Sequence, residues 1–470
     1  MSHRRLHCVL TGVALALSLA GCATMIPNYE RPPAPVAAAY PGATAAPEPA
    51  GAAASDIEWQ SYFGDARLKR LIDVALRNNR DLRVAVLNIE QARAQYQVRR
   101  ADELPTVGIG ATGSRQPNGS GGIASVYTAG LSVTAYELDF FGRVRSLSSG
   151  ALAQYLATEE ARKNVQIALV SSVANTYLNL LADDELLAVT QRALATREES
   201  LKLTKLKFDA GAASELDYRQ AESLLEGARA TLAQLTRQRA VDENALVLLL
   251  GQPLPADLPQ ASNIGSQTLI NQLPVGLPAE VLTRRPDVRQ AEQQLIAANA
   301  NIGAARAAFF PRITLTGSAG SASSELSGLF KSGSFAWTFM PQLLLPIFDS
   351  GRNQANLDLA NVGRDIALAQ YEKAIQTAFR EVADALAGRA TLGEQLRAQE
   401  AQADAEAVRF KLADLRYRNG AASYLDVLDA QRSLFAAQQA LVQVQAAQVQ
   451  NQVSLYKVLG GGGAASDRKP

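Results

Sequence analysis

Two carboxylates offer the most specific chemistry in this chain. Asp426 and Asp429 lie in YRNGAASYLDVLDAQRSL, the stretch from Tyr417 to Leu434. Spaced i and i+3, they share one face of a helix, and Leu425 and Asp429, spaced i and i+4, meet on the same strip. Such a pair can draw cations, or it can be a solvated helix face with a cap near the turn. Catalytic uses find little support. The two histidines are His3 and His7 and the two cysteines are Cys8 and Cys22. All except Cys22 fall within an N-terminal stretch that reads as a removable signal. The mature chain then has no Cys/His metal set and no disulfide framework. It also has no histidine to activate a nucleophile, and its glycines do not form a phosphate loop. An enzyme, a metal and a cofactor are not expected.

The remaining cysteine has its own chemistry. Arg4 and Arg5 precede an apolar run from Val9 to Ala20, followed by Leu19-Ala20-Gly21-Cys22. A basic start, a short apolar core and small residues before the cut describe a secretory signal over 1–21. The last four residues resemble a lipobox, in which the Cys22 thiol is acylated and becomes the new N-terminus. Acyl chains contribute about 0.8 kcal/mol per buried CH₂, enough for several together to anchor the chain. Residues 22–55 are rich in proline and alanine and read as an extended tether without a core of their own.

These groups need elements to position them, and the chain reads as one unit built twice. FDAGAASELDYRQAESLL, from Phe208 to Leu225, repeats the pattern of the Tyr417–Leu434 region, with Gly211 on Gly420, Ser214 on Ser423 and Asp217 on Asp426. The first repeat spans 56–280 and the second 281–470. Each holds helices, two strands with period-2 alternation, and a proline-free helical hairpin. The strands are expected at about 105–115, 125–138, 311–322 and 333–345. Val107, Ile109 and Ala111 share one face, as do Tyr127, Ala129, Leu131, Val133 and Ala135. Trp59–Asn79 reads as one helix, and 251–285 as an irregular connector. Val173, Leu180, Leu187, Leu194, Leu201 and Phe208 recur every seven residues, a packed seam. A helix of ~65 residues reaches about 100 Å, and the hairpin tips fall near 211 and 420. The formal charge of +1 over 470 residues gives no basic excess for nucleic acid.

The lipobox, LTRRPDVRQAE, GAARAAFFPRITLTGSAG, PIFDSGR, YRNGAASYLDVLDAQRSL and SLYKVLGGGG, in that order, resemble an outer-membrane factor of the TolC/OprM type, in its NodT-like lipoprotein branch. The resemblance covers the whole mature chain. It implies an α plus transmembrane β fold, with four strands per chain in a trimeric twelve-stranded barrel and long coiled-coil hairpins forming a periplasmic tunnel. It implies a passive exit duct for small toxic molecules in a Gram-negative outer membrane. The partners would be a periplasmic adaptor and an inner-membrane transporter of RND type. It places the periplasmic gate at Leu425, Asp426, Asp429 and Tyr417, where a threefold axis would stack carboxylate rings that favour cations. It places adaptor docking on Gly211, Ala212, Ala213, Ser214, Gly420, Ala421, Ala422 and Ser423. Ala422 departs from relatives that carry an arginine linking neighbouring hairpins, a role open here to Arg416 or Arg418. Two other readings are a protein-secretion duct of the same fold and a structural coiled-coil lipoprotein without a pore.

Overall fold

The structure, a computed structural model, describes residues 24–41, 53–119, 121–267, 269, 273, 275 and 278–463. The lipobox and Cys22 lie outside them. Its elements are α1 (Trp59–Tyr62), α2 (Ala66–Asn78), α3 (Arg80–Ala101), β1 (Val107–Pro117), β2 (Ile123–Glu137), α4 (Arg143–Asp209) and α5 (Glu215–Leu250). There follow α6 (Pro278–Arg284), α7 (Pro286–Ala307), β3 (Arg312–Ser323), β4 (Phe335–Leu344), α8 (Arg352–Arg418) and α9 (Tyr424–Val458). They divide between two compact units. The first holds Leu87–Glu160, Arg289–Ala374 and the described part of Met1–Ala34, and the second holds the remainder.

In the first unit the four strands form one antiparallel sheet in the order β1-β2-β3-β4. The register sets Ile109 against Leu131, Leu131 against Ala319, and Ala319 against Trp337. One face therefore carries Val107, Ile109, Tyr127, Leu131, Val133, Ile313, Leu315, Phe335, Trp337 and Phe339. The other carries Thr112, Thr128, Ser132, Thr316, Ser318 and Thr338, with hydroxyl pairs bridging strands at Thr112–Thr128 (2.6 Å) and Ser318–Thr338 (2.8 Å). The apolar face is uncovered: Ile109 is 85% and Trp337 68% exposed.

The alternation through Ala135 does not hold. The pairing slips between Val133 and Tyr136, where Ala135 adopts φ 51° and its N–H bonds the Thr316 hydroxyl at 3.1 Å. Tyr136, not Ala135, continues the apolar row opposite Leu315. A bulge of this kind adds one residue to one strand, and an apolar/polar pattern does not register it. Glu137, at the end of β2, accepts two bonds from Arg143 (2.8 and 2.7 Å) and pairs with Arg312 at 2.7 Å. This ties the end of β2 to the starts of α4 and β3.

The segment expected as a tether is, over residues 24–41, largely exposed but anchored at several points. Ile26 fills a notch at Gly303, where a Cβ would lie 2.6 Å from the Ile26 side chain. Asn299 donates to the Pro27 carbonyl at 2.8 Å, Tyr29 to Glu292 at 3.1 Å, and Arg31 grips the same carboxylate at 2.7 and 2.9 Å. In the second unit Tyr40 stacks on Phe379, ring centroids 5.0 Å apart. Composition missed this because a few aromatic and charged anchors suffice to hold an extended strip.

The core of the second unit gathers α1, α2 and α9 around α4. Leu68, Leu71, Ile72 and Ala75 bury one stripe of α2, while Val442, Ala446, Val449, Val453 and Tyr456 bury one of α9, as amphipathic helices do. Trp59–Asn79 is not one helix: it breaks where Phe63 turns into the core and bridges Leu269. The supposed connector contains α6 and a short 3₁₀ turn at Ile264–Ser266. Tyr62 and Tyr456 stack at 3.9 Å. The Gly460–Gly463 run closes over them, since a Cβ at Gly461 would lie 2.6 Å from Cζ of Tyr456.

Asp65 caps α2 through the Leu68 N–H at 2.9 Å. Burial alone would raise its pKa. Hydrogen bonds from Ser262, the Leu68 backbone, Gln267 and Tyr177 outweigh that and hold it below the usual 3.8. A depressed carboxylate adds stability that is complete above the unfolded pKa and is lost as pH falls through the folded one. Unfolding melts of the native protein should therefore fall more steeply below pH 3.8 than those of Asp65→Asn, whose melting point should already be lower at pH 7. Parallel pH profiles would remove Asp65 from this role.

Candidate functional site at the helical tips

The heptad expected to pack along α4 does so only in part. Val173 and Leu180 are buried, but Leu187, Leu194 and Leu201 are half-exposed and Phe208 is exposed. Toward the tip the buried row is polar instead: Thr190, Arg197 and Thr204. Thr190 and Thr204 satisfy their hydroxyls on the carbonyls of Leu186 and Ser200, both at 2.8 Å, which removes the cost of burying them.

Both hairpins turn in the same way. Gly211 and Gly420 adopt φ of 70° and 73°. The N–H groups of Ala212 and Ala421 reach back to the carbonyls of Lys207 (2.7 Å) and Arg416 (2.9 Å), a Schellman closure that needs a left-handed residue. Each next helix opens on a capping box. Ser214 and Asp217 bond reciprocally (3.1 Å each way), as do Ser423 and Asp426 (3.4 and 3.3 Å). Asp426 thus does the same capping work as Asp217. Gly211, Ala212, Ser214, Gly420, Ala421 and Ser423 are exposed, and Ala213 and Ala422 partly so.

The strip noted on α9 is real. Leu425 is 57% exposed, and Asp426 and Asp429 open beside it, while Tyr424, Val427, Leu428 and Gln431 turn inward. Ala221, Tyr424, Val427 and Leu428 form a small tip core with Phe410 and Tyr417 against it. Asp429 is not free, because Arg409 bonds it across the hairpin and also holds Glu406 at 3.1 Å. The two hairpins meet at Lys207, which donates to the Tyr417 hydroxyl at 2.8 Å and sits 4.2 Å from that ring's centroid. The Tyr417 and Tyr424 rings lie 5.2 Å apart. Arg416 bonds the Ala421 carbonyl at 3.4 Å and Arg418 pairs with Asp414 at 2.8 Å, so each is engaged within its own hairpin.

Sequence reasoning missed Lys207 and Arg409. Arg409 and Asp429 lie at nearly equal distances on either side of Gly420, so folding the hairpin on paper would have paired them. It also missed Asp183 on α4, where burial, with Asp242 beside it, pushes the carboxyl up to about 7. Among the described residues no three His, Cys, Asp or Glu side chains converge as metal ligands.

Comparison with known proteins covers nearly the whole chain. The profile of a family described as "Outer membrane efflux protein" matches residues 71–252 and 277–461. The toluene efflux pump outer membrane protein TtgI of Pseudomonas putida is 51% identical over 96% of this chain and 97% of its own length. OprJ of Pseudomonas aeruginosa is 47% identical over 96% and 95%. The open-state crystal structure of the MtrE outer membrane channel of Neisseria gonorrhoeae superposes with a TM-score of 0.85 at 44% identity, over 94% of this chain and 98% of that one.

Proposed function

Because the chain belongs to the outer membrane efflux protein family, we propose that it is the passive exit duct of a tripartite pump, gated at its helical tips. Its place is the outer membrane, its role efflux, and it is not an enzyme. The observation that carries the duct is the sheet. One face is apolar and uncovered, the other is lined with small residues and hydroxyls, and β1 and β4 are left as open edges. Lipid on one side and an aqueous lumen on the other account for both faces. Open edges cannot persist in lipid, so three copies closing a twelve-stranded barrel supply the missing ladders. The matching turns at Gly211 and Gly420 support an internal duplication. An adaptor would dock on the exposed small residues of both turns, and a transporter of RND type in the inner membrane would supply the energy. Relatives named for solvent, toluene and antibiotic efflux make small apolar molecules the proposed cargo. Cys22 would carry the lipid that tethers the chain.

The gate would be the strip of Leu425, Asp426 and Asp429, with Tyr417 bracing it through Lys207. Since Asp426 also closes the capping box from the N3 position, its removal costs about 0.3–1.5 kcal/mol of helix stability whatever else it does. Asp217→Ala removes an identical box from the other hairpin and is the matched control. In planar bilayers the native protein should show a small, cation-selective conductance. Asp426→Ala/Asp429→Ala should raise it severalfold and abolish the selectivity, while Asp217→Ala should change neither. Equal effects of both variants would reduce the strip to helix capping. No conductance from folded native protein would remove the duct.

A further inference from the structure

We propose that a cavity between α4, α8 and α9, above the tip, binds a small carboxylate with an apolar, ring-sized body. The cavity has a volume of about 150 Å³. Arg197 stands in its wall with only 6% of its surface exposed. One N–H group of the guanidinium reaches the Leu224 carbonyl at 3.0 Å, and the group lies 4.8 Å from the centroid of the Phe435 ring. No carboxylate meets it among the described residues, and no Asp or Glu lines the cavity. Burial, and then Arg432 nearby, lower its pKa below the usual arginine value.

A buried cation without a counterion is costly to keep. Its remaining donors are therefore suited to meet an anion at the cavity wall. Gln431, also buried, leaves one amide oxygen without a partner while its nitrogen contacts Ser200 at 3.1 Å. The two ends of an amide can be exchanged. With the exchange, Ser200 would donate to the oxygen, and the amide N–H would take the buried position beside the cavity wall.

The walls select the anion. A planar guanidinium fork matches a carboxylate, and Phe410, Phe435 and Leu434 offer surfaces for an aromatic or compact aliphatic body. Arg192, at the rim, adds positive potential and is only loosely held by Glu185 at 3.7 Å. A bound carboxylate would join the first hairpin, through Arg197, to the second, through Gln431 and the two phenylalanines. This inference does not depend on the gate.

The test is equilibrium binding of 4-fluorobenzoate, followed by ¹⁹F NMR, to the full-length protein in detergent, with sulfate as the competing anion. Saturable binding to the native protein is expected in the millimolar range or tighter. In Arg197→Leu it should weaken by at least about tenfold, while the thermal melt of that variant without ligand is unchanged or raised. A purely structural Arg197 would instead leave the variant destabilised and the native protein without saturable binding, which overturns the proposal. Ala193→Leu fills the cavity while keeping the arginine, and it should also lose binding; it serves if Arg197→Leu does not fold. Equal binding to native and filled protein, or displacement by sulfate at lower concentration than benzoate itself requires, would overturn the carboxylate site.

Discussion

Gly130→Val is expected to prevent assembly of the sheet, while Gly110→Val, one strand away on the same row, is expected to be tolerated. The register lines up Gly110, Gly130, Gly320 and Ala336 across all four strands on the small-residue face. Between β2 and β3 the two backbones pinch together. A Cβ at Gly130 would lie 2.6 Å from the Cα of Gly320 and nearer still to the Ala319 carbonyl, and one at Gly320 would meet Gly130 and Ala129 in the same way. Gly110 has nothing within 4 Å of such an atom. Overpacking by a side chain costs about 1–3 kcal/mol when neighbours can move aside. Here the neighbour is main chain, and separating it breaks ladder hydrogen bonds that, in the proposed barrel, lipid could not replace. The readout is the amount of heat-modifiable protein in outer membranes. Near-complete loss for Gly130→Val with near-native levels for Gly110→Val is the expected result. Equal levels for the two would show that the pinch is dispensable.

The second large effect is at Arg285, in the LTRRPDVRQAE motif. Its side chain is 8% exposed and every nitrogen is used. It bonds both oxygens of Asp287 (3.0 and 2.6 Å), Glu381 (2.7 Å) and the Val458 carbonyl (3.0 Å), joining the start of α7 to α8 and to the end of α9. Arg285→Ala leaves the carboxylates of Asp287 and Glu381, 27% and 30% exposed, without their cation, a loss somewhat below the ~3–5 kcal/mol of a fully buried pair. Arg285→Lys should recover little of this, because an ammonium cannot reproduce the fork. Adding Glu381→Gln to Arg285→Ala should restore part of the stability by removing one stranded charge. Trp59 sits in this unit, and the chain has two tryptophans. In a Trp337→Phe background, urea unfolding followed by fluorescence therefore reports on this unit alone. No recovery in the double variant would mean that lost packing, not charge, dominates.

The elements that the sequence made legible are those written in periodicity and turn chemistry. The strand faces around Ile109, Leu131 and Trp337 follow from alternation, and the two tips follow from Gly-Ala-Ala-Ser before a helix. What escaped depends on tertiary context. The slip at Ala135 preserves local composition. The leucine row of α4 is periodic, but burial near the tip goes to Thr190, Arg197 and Thr204, which lie on another strip of the helix. The proline-rich N-terminal segment carries no period at all, and its placement rests on single anchors such as Arg31 on Glu292. At the tip, Asp426 and Asp429 stood out by spacing. Lys207 and Arg409 become visible only once chain segments far apart, or the two arms of a hairpin, are laid side by side.

The order of strands also bears on how the chain becomes a sheet in time. β1 with β2, and β3 with β4, are local hairpins, the first closed by a short turn and the second by a loop that holds the 3₁₀ turn Leu326–Gly328. The central ladder joins β2, which ends at Glu137, to β3, which begins at Arg312. Closing so long a loop costs about 3 kcal/mol more in chain entropy than closing a hairpin, and non-local pairings of this kind form slowly. The two hairpins should therefore gain protection from hydrogen exchange early and separately. The β2–β3 amides, including those at the glycine pinch, should be the last to close. Until then the nascent chain carries two apolar half-sheets with unpaired edges through the periplasm, and that interval is when it is most exposed to aggregation and most in need of an escort.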